Sequence, residues 1–427
     1  MSMQAEEAAA RPVSGMRPYL VVAALVAGLL LGVLARGLPP EAGAPWVEGA
    51  TIAGQLWLNA LKMTVIPLVV ALLVTGIAQG AEAARAGRIA ARTVAWIVAV
   101  CTLSAMFGMA AMLGLVAAFP LPAEAAAALR AGLAGLAPPP GDAMPSLSDF
   151  FQGVIPSNVI ASASNGDVLP LVVFTILFAL AASRIAPARR KALVGLFEAI
   201  ADALLLVIAW VLWLAPLGVL ALAFTVGAAA GGAAFAGLAH YIVLVSVVGL
   251  FVTLAGYPIA IGAGRVPAGR FTRAMFAPQS VAVSTRSSLA SLPAMLASAR
   301  VIGIRDEVAD VSLPIAVALF RATGPAMNVA VAVYVAHWLG YEPSLGQILA
   351  ATAVGAVMSY AAISLPGEIT FISSIAPIAM ALGVPIAPLV LLVAVEMVPD
   401  IVRTLGNVTM DVAVTAAVDR GENAVEK

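Results

Sequence analysis

The sequence predicts an all-α polytopic membrane protein, with eight transmembrane helices and two re-entrant helical hairpins arranged as inverted repeats. Three observations carry that prediction. Of the 427 residues, 62% are hydrophobic and 10% charged, at a mean hydropathy of +1.05, whereas soluble domains carry about 25% charged residues. Eight apolar runs come near or exceed the roughly 20 residues that a helix needs to cross a bilayer. Two further apolar stretches are interrupted by Pro, Gly and clustered Ser.

The elements follow in order. Residues 1–17 read as a cytoplasmic tail. The run from Tyr19 to Ala35 follows Arg11 and Arg17 as a signal peptide would, but its length and the many spans behind it make it the first transmembrane helix, at about 18–36. Further crossings are expected at about 51–78, 93–119, 166–183, 193–225, 240–262, 311–340 and 386–418. The stretch from Pro120 to Phe150 is rich in Ala, Pro and Gly and reads as a loose external loop. Within 276–305 the sequence Ser287-Ser-Leu-Ala-Ser-Leu-Pro293 breaks the helical pattern, and Ser364-Leu-Pro-Gly367 does so within 345–385. Non-helical backbone at membrane depth is tolerated only inside protein or beside water, so each break marks the tip of a re-entrant hairpin.

Basic residues set the orientation. With both termini cytoplasmic, sixteen of the 22 Lys and Arg residues fall on the cytoplasmic side, as positive-inside distributions require. The first hairpin then enters from inside and the second from outside. Formal net charge is zero, which gives no footprint for nucleic acid. The lone Cys101 lies in an apolar run and reads as a packing residue.

The chemistry concentrates near the end of the chain. Glu396, Asp400, Arg403, Asn407 and Asp411 are spaced 4, 3, 4 and 4. At about 100° per residue they share an arc of roughly 80° on one helix. A charged group in hydrocarbon costs about 2.5–3.5 kcal/mol even on the gentlest insertion scale, so such a stripe lines a cavity or binds something. The flanking residues lack the Lys/Arg-rich face of a surface helix. Broken hairpins of opposite entry around such a helix place a small-molecule substrate near the midplane, as in a carrier.

Several motifs together resemble the dicarboxylate/amino acid:cation symporter family, which includes the glutamate transporters. They are Lys62-Met-Thr-Val-Ile-Pro67, Ile155-Pro-Ser-Asn158, Asn165-Gly-Asp-Val-Leu-Pro170, Ala215-Pro-Leu-Gly-Val219, Thr285-Arg-Ser-Ser-Leu-Ala-Ser-Leu-Pro293, Leu365-Pro-Gly367 and Asp400-Ile-Val-Arg-Thr-Leu-Gly-Asn-Val-Thr-Met-Asp411. The resemblance implies a homotrimer in the cell inner (plasma) membrane, embedded in lipid, with an elevator-type motion. Helices one and two (18–78) and four and five (151–225) would form its scaffold. Helix three (88–119) and residues 240–418 would form the moving domain, with 120–150 outside and 419–427 a cytoplasmic tail.

Residue by residue, the resemblance gives Asp400 to a substrate amino group and Arg403 to a side-chain carboxylate. It gives Asn407 to the main carboxylate, Ser287 and Ser288 to the first hairpin's serine tip, and Asp411 to a sodium ion as its only metal-ligand candidate. Thr404, beside Arg403, joins the substrate set. Elementary chemistry agrees, because a guanidinium meets a carboxylate in a bidentate fork. Arg286, Pro293, Pro366 and Gly367 are assigned to the hairpin tips.

The seventh helix departs from the family. Phe320-Arg-Ala-Thr-Gly324 replaces an Asn-Met-Asp-Gly-Thr-like break, and the third helix has Trp96-Ile97 and Val100-Cys101 where sodium-binding members carry Tyr and Thr-Ser. Arg321, a permanent cation, then reads as a tethered substitute for a bound cation beside Asp411, or as a snorkelling arginine at a helix end. Glu368 and Glu396 read as gate or proton carriers, or for Glu368 as a carboxylate facing the external vestibule. His240 and His337 read first as interface anchors. Ser287 and Ser288 also fit a plain helix cap.

The expected activity is secondary symport of an anionic substrate, an acidic amino acid or dicarboxylate, coupled to H+ or Na+ and requiring no organic cofactor. An anion-conducting channel or a transport-dead sensor on the same fold is the alternative. No nucleophile–base constellation points to an enzyme.

Overall fold

A computed structural model describes residues 18–85, 87–133, 154–361 and 367–425. Among the described residues the chain forms helices, with no strand. In order these are α1 Pro18–Arg36, α2 Pro40–Arg85, α3 Arg88–Ala118, α4 Ala123–Leu133, α5 Val159–Asn165, α6 Val168–Ala182, α7 Pro187–Trp213, α8 Ala215–Ala230 and α9 Ala233–Pro258. A π-helical turn at Ile259–Ala263 extends α9. The first hairpin follows as α10 Ala268–Thr285 and α11 Ser288–Ile302, then α12 Asp306–Leu319 and α13 Thr323–Leu339. The second hairpin is α14 Leu345–Ala361 and α15 Gly367–Leu382, and α16 Ala387–Val393 and α17 Met397–Val425 complete the chain.

Among the described residues, seven segments are long and apolar enough to cross a bilayer, from Tyr19–Arg36 to Met397–Glu422. Trp210, Trp213 and Phe276 are more than 60% exposed on the outer surface. Large apolar faces of this kind suit hydrocarbon rather than water. The chain is a multi-pass membrane protein.

Three expected spans prove to be divided, for local reasons. The span at 166–183 is instead the single helix α6, which α5 precedes across Gly166, whose φ of 77° lies in the left-handed region. The span at 193–225 breaks at Leu214, because Pro216 in the first turn of α8 has no N–H to continue the helix. The spans at 311–340 and 386–418 share one device. Pro325 and Pro399 each lie in the first turn of the following helix, where a proline ring excludes the carbonyl four residues earlier, at Arg321 and Val395. The chain therefore leaves helical geometry at Phe320, whose φ and ψ are −101° and 119°, and turns at Ala394–Glu396.

The stretch after Pro120, expected to be a loose external loop, is helical in its described part. Its alanines form α4, which buries Ala125 and Ala126 and packs against α8 and α9. Residues 134–150 lie outside the described residues.

Packing follows two neighbourhoods. Helix α1 lies along α8, and α2 contacts α6, α7 and α8. The contact of α1 with α8 depends on Gly28 and Gly32, a small-xxx-small pair; a Cβ on Gly32 would fall 2.2 Å from the Phe224 carbonyl oxygen. The second neighbourhood joins α3 to α13 and surrounds α17 with α9, α10, α11 and α12. Here Gly108 of α3 brings the backbone onto Ala326, where a Cβ would sit 2.3 Å from the carbonyl oxygen. Gly108→Val is accordingly expected to destabilise the detergent-solubilised protein by about 1–3 kcal/mol through overpacking. A lowered thermal midpoint, with α3 prised off the first turn of α13, is the outcome to measure; an unchanged midpoint would contradict this packing.

Candidate functional site

Helix α17 begins one residue after Glu396, whose carbonyl accepts from the Asp400 N–H at 2.8 Å. Glu396 is therefore on the turn that leads into the polar helix, not on a continuous stripe. One face of α17 presents Asp400, Arg403, Thr404, Asn407 and Asp411, each 9% exposed or less.

Arg403 is the centre of this face. Its Nη2 donates to Glu396 Oε1 at 2.5 Å, and its Nη1 donates to Asn328 Oδ1 at 2.9 Å. Its Nε–H is buried and has no hydrogen-bond acceptor among the described residues. The same Glu396 accepts at Oε2 from the Tyr241 hydroxyl, at 2.8 Å. Asn328 in turn donates to the Ser374 hydroxyl at 3.1 Å, tying the guanidinium to the second hairpin. A buried guanidinium with an open edge is suited to an anion that completes its fork.

The first hairpin reaches this face through its tip. Arg286 takes the left-handed conformation, φ 52°, which costs a non-glycine residue on the order of 1 kcal/mol. That turn sets its Nη1 3.4 Å from Asp400 Oδ2. Ser287 caps α11, its hydroxyl accepting from the Ala290 N–H at 3.2 Å, and Ser288 opens the helix beside it. Pro293, expected at the tip, lies inside α11. The turn is made earlier, by the left-handed Arg286 and the Ser287 cap, and Pro293 follows five residues into the helix. At the second hairpin Pro366 lies outside the described residues, Gly367 is the first residue of α15, and the Glu368 side chain is not among those described.

The broken seventh span meets α17 one turn beyond Arg403. Asn407 Oδ1 accepts from the Thr323 N–H at 3.0 Å and from its hydroxyl at 2.6 Å. The Thr323 hydroxyl also donates to the Arg403 carbonyl, at 2.7 Å. Asn407 thus caps the start of α13. Helix α3 supports the break from the other side, with Ser104 donating to the Ala322 carbonyl and Cys101 lying against Ser359 and the Arg321 backbone.

Asp411 is fully buried, and neither carboxylate oxygen has a hydrogen-bond partner among the described residues. The positive charge acting on it is that of Arg321, which stands at the break and also feels Arg403 and Asp400. Arg321 is thus placed among the charges of the site, not at a helix end facing the membrane surface. The histidines sit away from this centre: His240 bonds the Phe119 carbonyl at 2.9 Å and the Tyr334 hydroxyl at 3.1 Å, while His337 accepts from the Leu121 N–H at 3.4 Å.

Three participants were not singled out by the sequence: Tyr241, Asn328 and Thr323. Asn328 had a signal, as the one carboxamide in the apolar run that follows Pro325. Tyr241 had none, since a tyrosine beside a histidine near a span's start reads equally as an interface anchor.

Comparison with known proteins decides the family. The sodium:dicarboxylate symporter family matches residues 18–421. The chain belongs to that family. It is 25% identical over 415 residues to the proton/glutamate-aspartate symporter of Escherichia coli (strain K12), covering 96% of this chain and 93% of that protein. It is 26% identical over 437 residues to C4-dicarboxylate transport protein 2 of Ralstonia nicotianae, covering 98% and 91%. It is also 26% identical over 392 residues to the proton/sodium-glutamate symport protein of Bacillus subtilis (strain 168), covering 90% and 88%. These relatives are transport proteins, not enzymes.

Proposed function

We propose that this protein is a secondary active symporter of acidic amino acids or dicarboxylates, working by alternating access as a homotrimer in the inner (plasma) membrane with both termini cytoplasmic. One observation carries the reading: a buried Arg403 with an open Nε–H edge, one turn from an Asp400 that is paired to the first hairpin's tip. A substrate carboxylate fits the guanidinium fork, and a substrate ammonium fits Asp400 once Arg286 yields it. Ser287, Ser288, Thr404 and Asn407 stand around this position as polar contacts. The neighbourhood built from α3 and α9 to α17 would carry the site, moving against α1, α2 and α5 to α8.

The coupling follows from the broken seventh span. Sodium requires a cage of oxygen ligands, and the break supplies Phe320, Arg321 and Ala322 in place of carboxamide and carboxylate. Arg321 provides the positive charge that Asp411 needs, so a tethered guanidinium takes over part of the work of a bound cation. The remaining coupling ion is then the proton.

Reconstituted protein should accumulate radiolabelled aspartate above its external concentration, and excess glutamate or succinate should compete for uptake. The clustering of Arg286, Arg321 and Arg403 also suits an anion pathway. Mere equilibration accompanied by an anion current would replace the symporter with that reading.

A further inference from the structure

We propose that Glu396 is a built-in carboxylate that occupies Arg403 in place of substrate and carries the coupling proton once substrate displaces it. The inference rests on the reading of Arg403 as the substrate arginine and goes further, by assigning the proton to one side chain.

The geometry of the fork is the starting point. A guanidinium binds carboxylates along two edges, one formed by Nη1 with Nη2 and the other by Nε with Nη2. In this structure Asn328 holds Nη1, Glu396 holds Nη2, and Nε–H donates to no group among the described residues. Glu396 therefore makes half of the interaction that an incoming carboxylate would make in full. A substrate carboxylate seated on Nε and Nη2 fills the open donor, competes with Glu396 for Nη2 and for the charge of the guanidinium, and leaves the Asn328 contact in place. The exchange needs no new cavity around Nη1.

Displacement has a consequence for charge. Glu396 is 3% exposed. Once Arg403 neutralises the substrate carboxylate, it no longer neutralises Glu396, and a buried carboxylate separated from its countercharge is strongly disfavoured. A proton from the external solution, bound at the carboxylate oxygen that Arg403 has left, removes that charge. On the cytoplasmic side the steps reverse: substrate departs, Arg403 returns to Glu396, and the proton is released to the interior. One proton crosses with each substrate, and no other co-reactant is consumed.

The groups facing Glu396 define the competing assignments. Tyr241 of α9 donates to its other oxygen and is in edge contact with Tyr334 of α13, at a ring separation of 5.4 Å. Tyr334 is in turn hydrogen-bonded to His240. Asp400 shares the cluster and is paired with Arg286, while Arg321 lies beyond Asp400 at the break. Ser374 of α15 reaches Asn328, not Glu396 directly. Glu396 is distinguished from Asp400 by its bond to Arg403 Nη2, the nitrogen shared by both edges of the fork.

The test is the pH dependence of aspartate and succinate binding to the purified full-length protein, with wild type compared to Glu396→Gln and His240→Gln. Wild-type and His240→Gln affinity should weaken by about tenfold per pH unit over the range between the ionisation of Glu396 in the free protein and its ionisation in the complex, the slope of one linked proton. Glu396→Gln, which imitates the protonated carboxyl, should bind with the affinity that wild type reaches at low pH, and that affinity should stay flat. A slope that survives in Glu396→Gln, or that disappears in His240→Gln alone, overturns the assignment while leaving Arg403 as the substrate arginine. Absence of binding by either anion at every pH, in wild type as well, instead overturns the substrate reading and the assignment with it. A second measurement does not depend on any variant: saturating wild-type protein with aspartate in weakly buffered solution should take up one proton per site, and no uptake contradicts the proposal.

Discussion

Arg403→Ala is expected to lower aspartate and succinate uptake at least a hundredfold. Two charge-assisted hydrogen bonds to a substrate carboxylate contribute about 1.5–3 kcal/mol each, and each 1.4 kcal/mol is a factor of ten in affinity. The substitution also leaves Glu396 buried opposite an empty position, which by itself costs about 3–5 kcal/mol of stability. A loss of uptake through misfolding must therefore be separated from a loss through binding. The double variant Arg403→Ala with Glu396→Ala removes both charges and should recover much of the thermal stability in detergent. It should not recover uptake. Arg403→Lys keeps the charge but not the fork, and a reduction of at least tenfold is expected, because an ammonium cannot hold a carboxylate along two parallel bonds. Wild-type uptake in Arg403→Ala would remove the guanidinium from the substrate site altogether.

Arg321→Met should convert sodium-independent uptake into uptake that sodium stimulates. Asp411 is buried with no hydrogen bond to either oxygen among the described residues, and Arg321 supplies the positive charge that acts on it. Removing that charge leaves Asp411 uncompensated in an apolar setting, a situation the protein relieves by admitting a cation or by losing the active conformation. Initial rates without sodium should fall at least tenfold, and high external sodium should recover part of the loss. Arg321→Met combined with Asp411→Asn removes both charges and should restore sodium-free uptake. Unchanged, sodium-independent uptake in Arg321→Met would show that the arginine does not stand in for a cation.

How much of this was readable beforehand varies with the physics involved. Hydrophobic run length located the spans, and the Pro, Gly and Ser interruptions located the hairpins, because bilayer thickness and backbone hydrogen bonding constrain every membrane chain alike. The breaks before Thr323 and Met397 were less visible. Pro325 and Pro399 mark both in the sequence, yet in a long apolar run a proline signals either a kink or a new helix, and only packing decides between them. The fourfold spacing of charges suggested that Glu396 shares a helix face with Asp400. The turn at Ala394–Glu396 instead frees Glu396 to fold back seven residues onto Arg403. Contacts between distant elements, such as Tyr241 with Glu396 and Thr323 with Asn407, leave no periodic signature. Pro293 shows the opposite error, a conspicuous residue that was given the turn actually made by Arg286 and Ser287.

The claim on which the rest depends is that an anionic substrate moves with a proton while Arg321 does work otherwise left to sodium. The most direct test is uptake of radiolabelled aspartate, glutamate and succinate into proteoliposomes under separately imposed proton and sodium gradients. An inward proton gradient alone should drive accumulation of at least one of the three, and a sodium gradient at equal pH should add little. Accumulation that requires the sodium gradient and ignores the proton gradient would contradict the account, as would failure to transport any of the three.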